Sequence, residues 1–307
     1  MPEYKIIKKL MGSVFELIVI AGNEKEANHF LKVAIQEIKR LEDLLSEFKD
    51  TSEISSINQN AGIKPVKVSD EVYNLLIRCK RLHHITQGAF DITVGPLKKL
   101  YNFKGRQVEF PSSSVIKKTL TLVGTEKMEL QNQNFVFLPK NGMKISLAAI
   151  GKGYAADCAK KIWSAMNVKA GVINASGDLT VIGEKENSKP WVAGIPEPDN
   201  KEKMFCFVPL KNKAIATSGD YEQFFMRNGI RYSHTIDPKN GLPLTSIKSV
   251  SVLTNSGELC DALATAVYVM GKQTGLHFIN QVPDAHCLII DENNEVSISG
   301  NLEIIRS

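Results

Sequence analysis

The run CDALATAVYVMG, Cys260 to Gly271, carries an acid and a hydroxyl four residues apart in an otherwise apolar or small segment. Such a run reads as a helix buried in a core, with Ser256 as its cap. At that spacing Asp261 and Thr265 project from one helix face. A plain core helix has no use for two polar groups side by side. Two oxygen donors on one face suit a hard cation such as Mg2+. A cation held there would most naturally serve a phosphate-bearing ligand.

The 307 residues are 43% hydrophobic, which allows a substantial core and excludes disorder. They suffice for a single domain, or for two intimately packed subdomains with no visible linker. Net charge is +5, a mild excess that is compatible with an anionic ligand but lacks the basic stripe of a nucleic-acid binder. The densest basic patch, Lys98, Lys99, Lys104 and Arg106 with Tyr101 and Phe103 among them, reads as a solvated loop. Five cysteines without a C-x-x-C pair argue against a disulfide framework or structural zinc. No apolar run reaches membrane-spanning length, and the start lacks a signal-peptide core and a lipobox Cys. The chain is expected to be soluble as it stands. An extracytoplasmic, membrane-associated setting with the leader removed stays open.

Phe15, Leu17 and Val19 alternate as a strand, and Asn23 with Glu26 forms a capping box for a helix through Leu45. A polar segment follows, then a helix from Ser69 to Gly88. Short strands are expected near Met128–Leu130, Asn134–Leu138 and Lys144–Leu147. A third helix starts at Gly151–Gly153. Strands then dominate, including Tyr221–Arg227 and Arg231–Ile236. Segregated helices and antiparallel-type strands predict an α+β fold with mixed, largely antiparallel sheets flanked by helices.

Four further motifs carry chemistry. GAFDITVGP, from Gly88, holds Asp91 among apolar residues, where capping a buried turn and binding a ligand are equally good readings. SLAAIGKGYAAD, from Ser146, puts Lys152 where a helix begins, an anion site of helix-start amides plus a cation. It lacks the Walker pattern, and its glycines also suit tight helix packing. NASGD, from Asn174, is a Gly-containing turn at a strand end. YSHTIDPKNGLP places His234 before a rigid turn, where a general base and an ordinary surface or packed histidine are both open readings, the second the commoner for a lone His.

Taken in order, with MGS at Met11 and LLSEF ending at Phe48, these segments resemble the FAD:protein FMN transferase family, the ApbE-type flavin transferases. The resemblance spans residues 11 to 271. It implies the ApbE-like fold, FAD as substrate, Mg2+ as cofactor, and transfer of FMN to a Ser or Thr hydroxyl with release of AMP. The implied acceptor is a flavoprotein with a Ser/Thr flavinylation motif, a subunit of a membrane electron-transport complex. By matching position, Asp261 and Thr265 would be side-chain metal ligands, and Ala149 and Ala264 would offer carbonyls. Met11, Phe48, Ala89, Phe90, Asp91, Ser146, Lys152 and Ile236 would line the FAD site, with Phe48 and Phe90 stacking on its rings. His234 would be the catalytic base.

Some positions depart from the pattern. Ser146 stands where the family commonly has Asp, Phe48 where Tyr is frequent, Ser13 for Thr, and Ser176 for a second Gly. Two other functions remain open at the level of sequence. One is an FAD pyrophosphatase, with water replacing the hydroxyl; the other is a non-catalytic flavin carrier.

Overall fold

A computed structural model describes residues 1–101, 103, 110–219, 224–300 and 302–306, with the backbone alone at 201. Lys104, Arg106 and the first three residues of the expected strand Tyr221–Arg227 lie outside the described residues.

The chain opens with β1 (Glu3–Leu10) and β2 (Ser13–Ile20), followed by α1 (Glu24–Leu45) and α2 (Glu53–Gln59). Next come β3 (Val66–Lys67), α3 (Asp70–Ile85), α4 (Gly95–Lys98), α5 (Ser113–Leu120), β4 (Glu129–Gln131) and β5 (Phe135–Phe137). The second half holds α6 (Gly151–Ala165), β6 (Ala170–Ala175), β7 (Asp178–Ile182), β8 (Trp191–Glu197), β9 (Asn200–Leu210) and β10 (Ala214–Gly219). It continues through β11 (Phe224–Arg227), β12 (Ile230–Ser233), β13 (Ile247–Thr254), α7 (Gly257–Met270) and α8 (Lys272–Ile279). The last strands are β14 (His286–Asp291), β15 (Val296–Ile298) and β16 (Ile305–Arg306).

The main sheet has eight strands in the order β1-β2-β6-β7-β10-β13-β14-β15, and neighbours pair antiparallel. The α+β expectation therefore holds. The two-residue side-chain period of a strand assigns its faces. Leu17, Val19, Ile173, Val250, Val252 and Ile289 join the core under the helices. Their neighbours Ile20, Val172, Leu253 and Ile290 point the other way, onto a second core with Trp191, Ile195 and Val208 of the small sheet β16-β9-β8. The main sheet is thus a middle layer, buried on both sides.

Asn23 caps α1 by accepting from Glu26 N at 3.0 Å, as expected. The Glu26 carboxylate reaches back one residue further than a capping box, to Gly22 N at 2.9 Å. Two segments go beyond or against the sequence reading for identifiable reasons. The polar segment after Ser46 contains α2, because Ser52 caps it through Ser55 N at 3.0 Å. Lys144–Leu147 forms no strand: the Asn58 amide takes both backbone groups of Ile145, at 2.7 and 2.9 Å, where a neighbouring strand would be.

One contact fixes the helices that matter most. A Cβ on Gly153 of α6 would lie 2.1 Å from the Gly257 carbonyl oxygen at the start of α7. Asp157, one turn further along α6, accepts from Gly257 N at 2.8 Å, Glu258 N at 3.0 Å and Ser256 Oγ at 2.7 Å. A carboxylate so placed also complements the helix dipole of α7. Gly153→Ala should therefore force the two helices apart and cost about 1–3 kcal/mol or more by overpacking. A thermal melt equal to wild type would contradict this close approach.

Candidate functional site

The helix ends joined at Gly153 carry the polar groups. Asp261 is 5% exposed, and its Oδ2 accepts from Gly153 N at 3.2 Å. Gly153 stands in the first turn of α6, where backbone N–H groups have no acceptor within the helix. Asp261 supplies the acceptor, and the Ala149 carbonyl, just before the helix, accepts from nothing among the described residues. Burial pushes the Asp261 carboxyl up to about 7; Lys152 opposes that rise and the negative charge of Asp178 adds to it. Thr265, one turn along α7, touches Ser218 of β10, with the two hydroxyl oxygens 3.2 Å apart. Ala264 lies between them in sequence. Its carbonyl belongs to the helix ladder and keeps a second lone pair.

Lys152 Nζ donates to Asp178 Oδ2 at 2.6 Å, and Asp178 Oδ1 accepts from Thr217 N at 3.0 Å. Asp178, the last residue of NASGD, thus has a place that the sequence motif alone did not assign. A buried carboxylate and, one turn along α7, a hydroxyl stand near the α6–α7 crossing, and the Ala149 carbonyl comes just before α6. All are hard oxygen donors, in a place where burial penalises an uncompensated charge. That donor set fits Mg2+.

Lys152 also lines a cavity of about 430 Å³ with Met11, Ser46, Glu47, Phe48 and Leu147. Met11 and Gly12 form the two-residue β1–β2 turn with φ of 49° and 74°, the primed geometry that matches strand twist. A non-glycine residue there is strained, and its side chain sits on the cavity wall. α1 ends at Ser46, whose Oγ accepts from Phe48 N at 3.2 Å. Phe48 is left 88% exposed beside the cavity. Ser146 Oγ donates to Glu47.

Other expected residues lie elsewhere. Phe90 is 1% exposed and packed in the main core, so its ring cannot stack on a ligand in this arrangement; Ala89 is buried beside it. Asp91 Oδ1 accepts from Thr93 N at 2.7 Å, Thr93 Oγ1 at 2.6 Å and Thr125 Oγ1 at 2.8 Å. Its Oδ2 accepts from Thr125 N at 3.1 Å. The capped-turn reading of Asp91 is realised by these four bonds. A smaller cavity of about 220 Å³ reaches it from the side of His83, Glu126 and Lys239. Ile236 is buried with Leu97, Tyr101 and Val123. His234 follows β12 directly and is half-buried.

Three comparisons bear on this arrangement. A family model described as the ApbE family matches residues 11–289. An FAD:protein FMN transferase from Klebsiella pneumoniae (strain 342) is 30% identical over 301 residues, covering 96% of this chain and 92% of that protein. The crystal structure of the ApbE protein from Thermotoga maritima superposes with a TM-score of 0.88 at 31% identity, covering 97% of each chain. The flavin transferase ApbE from Vibrio cholerae gives 0.85 at 25% identity, again over 97% of each.

Proposed function

The chain belongs to the ApbE family, and from that premise we propose that it moves FMN from FAD to a Ser or Thr hydroxyl of an acceptor flavoprotein, with Mg2+ as cofactor and AMP as the leaving group. It is a flavin transferase by kinship; the cation, the leaving group and the acceptor are the proposal. The observation that carries it is buried Asp261 bonded to Gly153 N at the start of α6, next to Lys152, which lines the cavity of about 430 Å³ and pairs with Asp178.

Each residue then has a task. Asp261, Thr265 and the carbonyls of Ala149 and Ala264 would hold Mg2+. Bound there, the cation would neutralise charge on the diphosphate. Lys152 turns from Asp178 to the phosphoryl oxygens and offsets the charge that grows as the bond to AMP breaks. His234 takes the proton of the acceptor hydroxyl while that oxygen bonds to the FMN phosphorus. Phe48 offers its exposed ring to a flat heterocycle. The acceptor is expected to be a subunit of a membrane electron-transport complex. No helix among the described residues is long and apolar enough to cross a membrane.

The test is incubation with FAD, Mg2+ and an acceptor carrying a Ser/Thr flavinylation segment, followed by acceptor mass and free AMP. A mass gain of one FMN with matching AMP is expected. AMP without the gain would make the protein a pyrophosphatase. Neither product, with FAD bound, would make it a carrier.

A further inference from the structure

Glu47 has no task in that scheme, yet it lines the same cavity as Met11, Phe48 and Lys152. One of its carboxylate oxygens, Oε1, accepts from Ser146 Oγ across 99 residues of chain. No hydrogen bond or ion pair reaches the other oxygen among the described residues. The second cavity carboxylate, Glu42, differs: Lys49 lies 3.5 Å from it. The Glu47 backbone is also placed firmly. Ser46 closes α1, and its carbonyl accepts from the hydroxyls of Ser52 and Ser55. The next side chain is Phe48, 88% exposed.

The surroundings define what such a carboxylate can do. Glu47 is half-exposed and feels the charges of Lys98 and Lys99, so its second oxygen stays open to a ligand donor that displaces water. The ring of Phe48 beside it matches a flat, unsaturated body. Lys152, on the same cavity, matches an anionic group. A ligand with all three features is a heterocycle bearing an N–H donor and linked to phosphate.

We propose that Glu47, oriented by Ser146, recognises a heterocyclic N–H of the bound dinucleotide. The inference rests on the flavin-transferase reading and deepens it. The shared chemistry is an N–H donor on an aromatic ring system, present both as the imide of the flavin and as the amine of adenine. Glu47 contacts substrate. Ser146 is a positioning residue that holds one oxygen so that the other faces the ligand.

Glu47→Gln keeps the shape and reverses one side. An amide must turn its NH2 toward either Ser146 or the ligand donor, and each choice removes a hydrogen bond to a charged acceptor. FAD affinity should fall about tenfold to a hundredfold, measured by flavin fluorescence quenching or calorimetry. Ser146→Ala, which frees the carboxylate, should fall less, about threefold. FMN and ADP as separate probes locate the donor: loss with FMN alone identifies the flavin imide, and loss with ADP alone the adenine amine. Wild-type affinity of Glu47→Gln for all three ligands would overturn the proposal. So would equal losses with FMN and ADP, which signify a general disturbance of the cavity. A wild-type protein that binds no flavin would instead remove the parent reading.

Discussion

Asp261→Ala is expected to lower the transfer rate by about two to three orders of magnitude, the usual effect of losing about 3–4 kcal/mol of electrostatic stabilisation at a developing charge. Two losses combine in it. The cation would lose its one carboxylate ligand, leaving a hydroxyl and carbonyls. Gly153 N, in the first turn of α6, would also lose its acceptor, which loosens the α6–α7 crossing that positions the site. Excess Mg2+ should therefore restore activity only in part. Full activity of the wild type in EDTA would sink the metal assignment.

A second substitution at this position reads the metal-free protein. Burial raises the Asp261 carboxyl to about 7, above the usual carboxylate range near 4. Between those values the folded chain holds a proton that the unfolded chain has released, so stability falls as pH rises through this window. Asp261→Asn should remove that part of the pH dependence. Chemical unfolding in EDTA at pH 5 and pH 8 would measure it, and an unchanged difference between wild type and variant would contradict the burial argument. Stability given up at a site without its ligand is the common trade of a binding site.

What the sequence could and could not reveal follows from the range of each interaction. Asp261 and Thr265 were legible because helical geometry alone fixes their shared face, and α7 begins after Ser256 as expected. Lys152 was legible because Gly151–Gly153 opens a helix. Period-2 alternation placed β2 and most of the later strands. The Lys144–Leu147 segment misled because an Asn58 side chain can imitate a strand, and nothing local announces that. Asp91 could not be decided locally, since its partners include Thr125, 34 residues away. Glu47 and Asp178 were missed for the same reason. A carboxylate's role depends on whether its partner is Ser146 or Lys152, and both contacts are long-range. Asp157 stood in a recognised motif, but only the packed α6–α7 crossing shows that it fastens α7.

His234→Ala is expected to leave FAD binding nearly unchanged and to slow transfer by roughly a hundredfold or more, the usual loss of a general base. The separation of the two effects is the argument. His234 lies outside the residues that line the main cavity, so ground-state affinity has little reason to depend on it. Its backbone is set by flanking bonds: Ser233 N donates to the Leu244 carbonyl at 2.8 Å, and Leu244 N to the Thr235 carbonyl at 3.1 Å. Just before it, Phe225 and Tyr232 stack across β11 and β12 with centroids 5.0 Å apart. After it, the Asp237–Gly241 turn is closed by Gly241 N donating to the Asp237 carbonyl at 2.8 Å, and Tyr101 Oη bonds the Gly241 carbonyl at 2.7 Å. A Cβ on Gly241 would meet Ile116 at 2.7 Å, so this turn admits no other residue without repacking. A base on so rigid a support loses little entropy in reaching its working position, which is where proximity contributes most. Single-turnover transfer with FAD saturating isolates the chemical step. A rate equal to wild type would rule out His234 as the base.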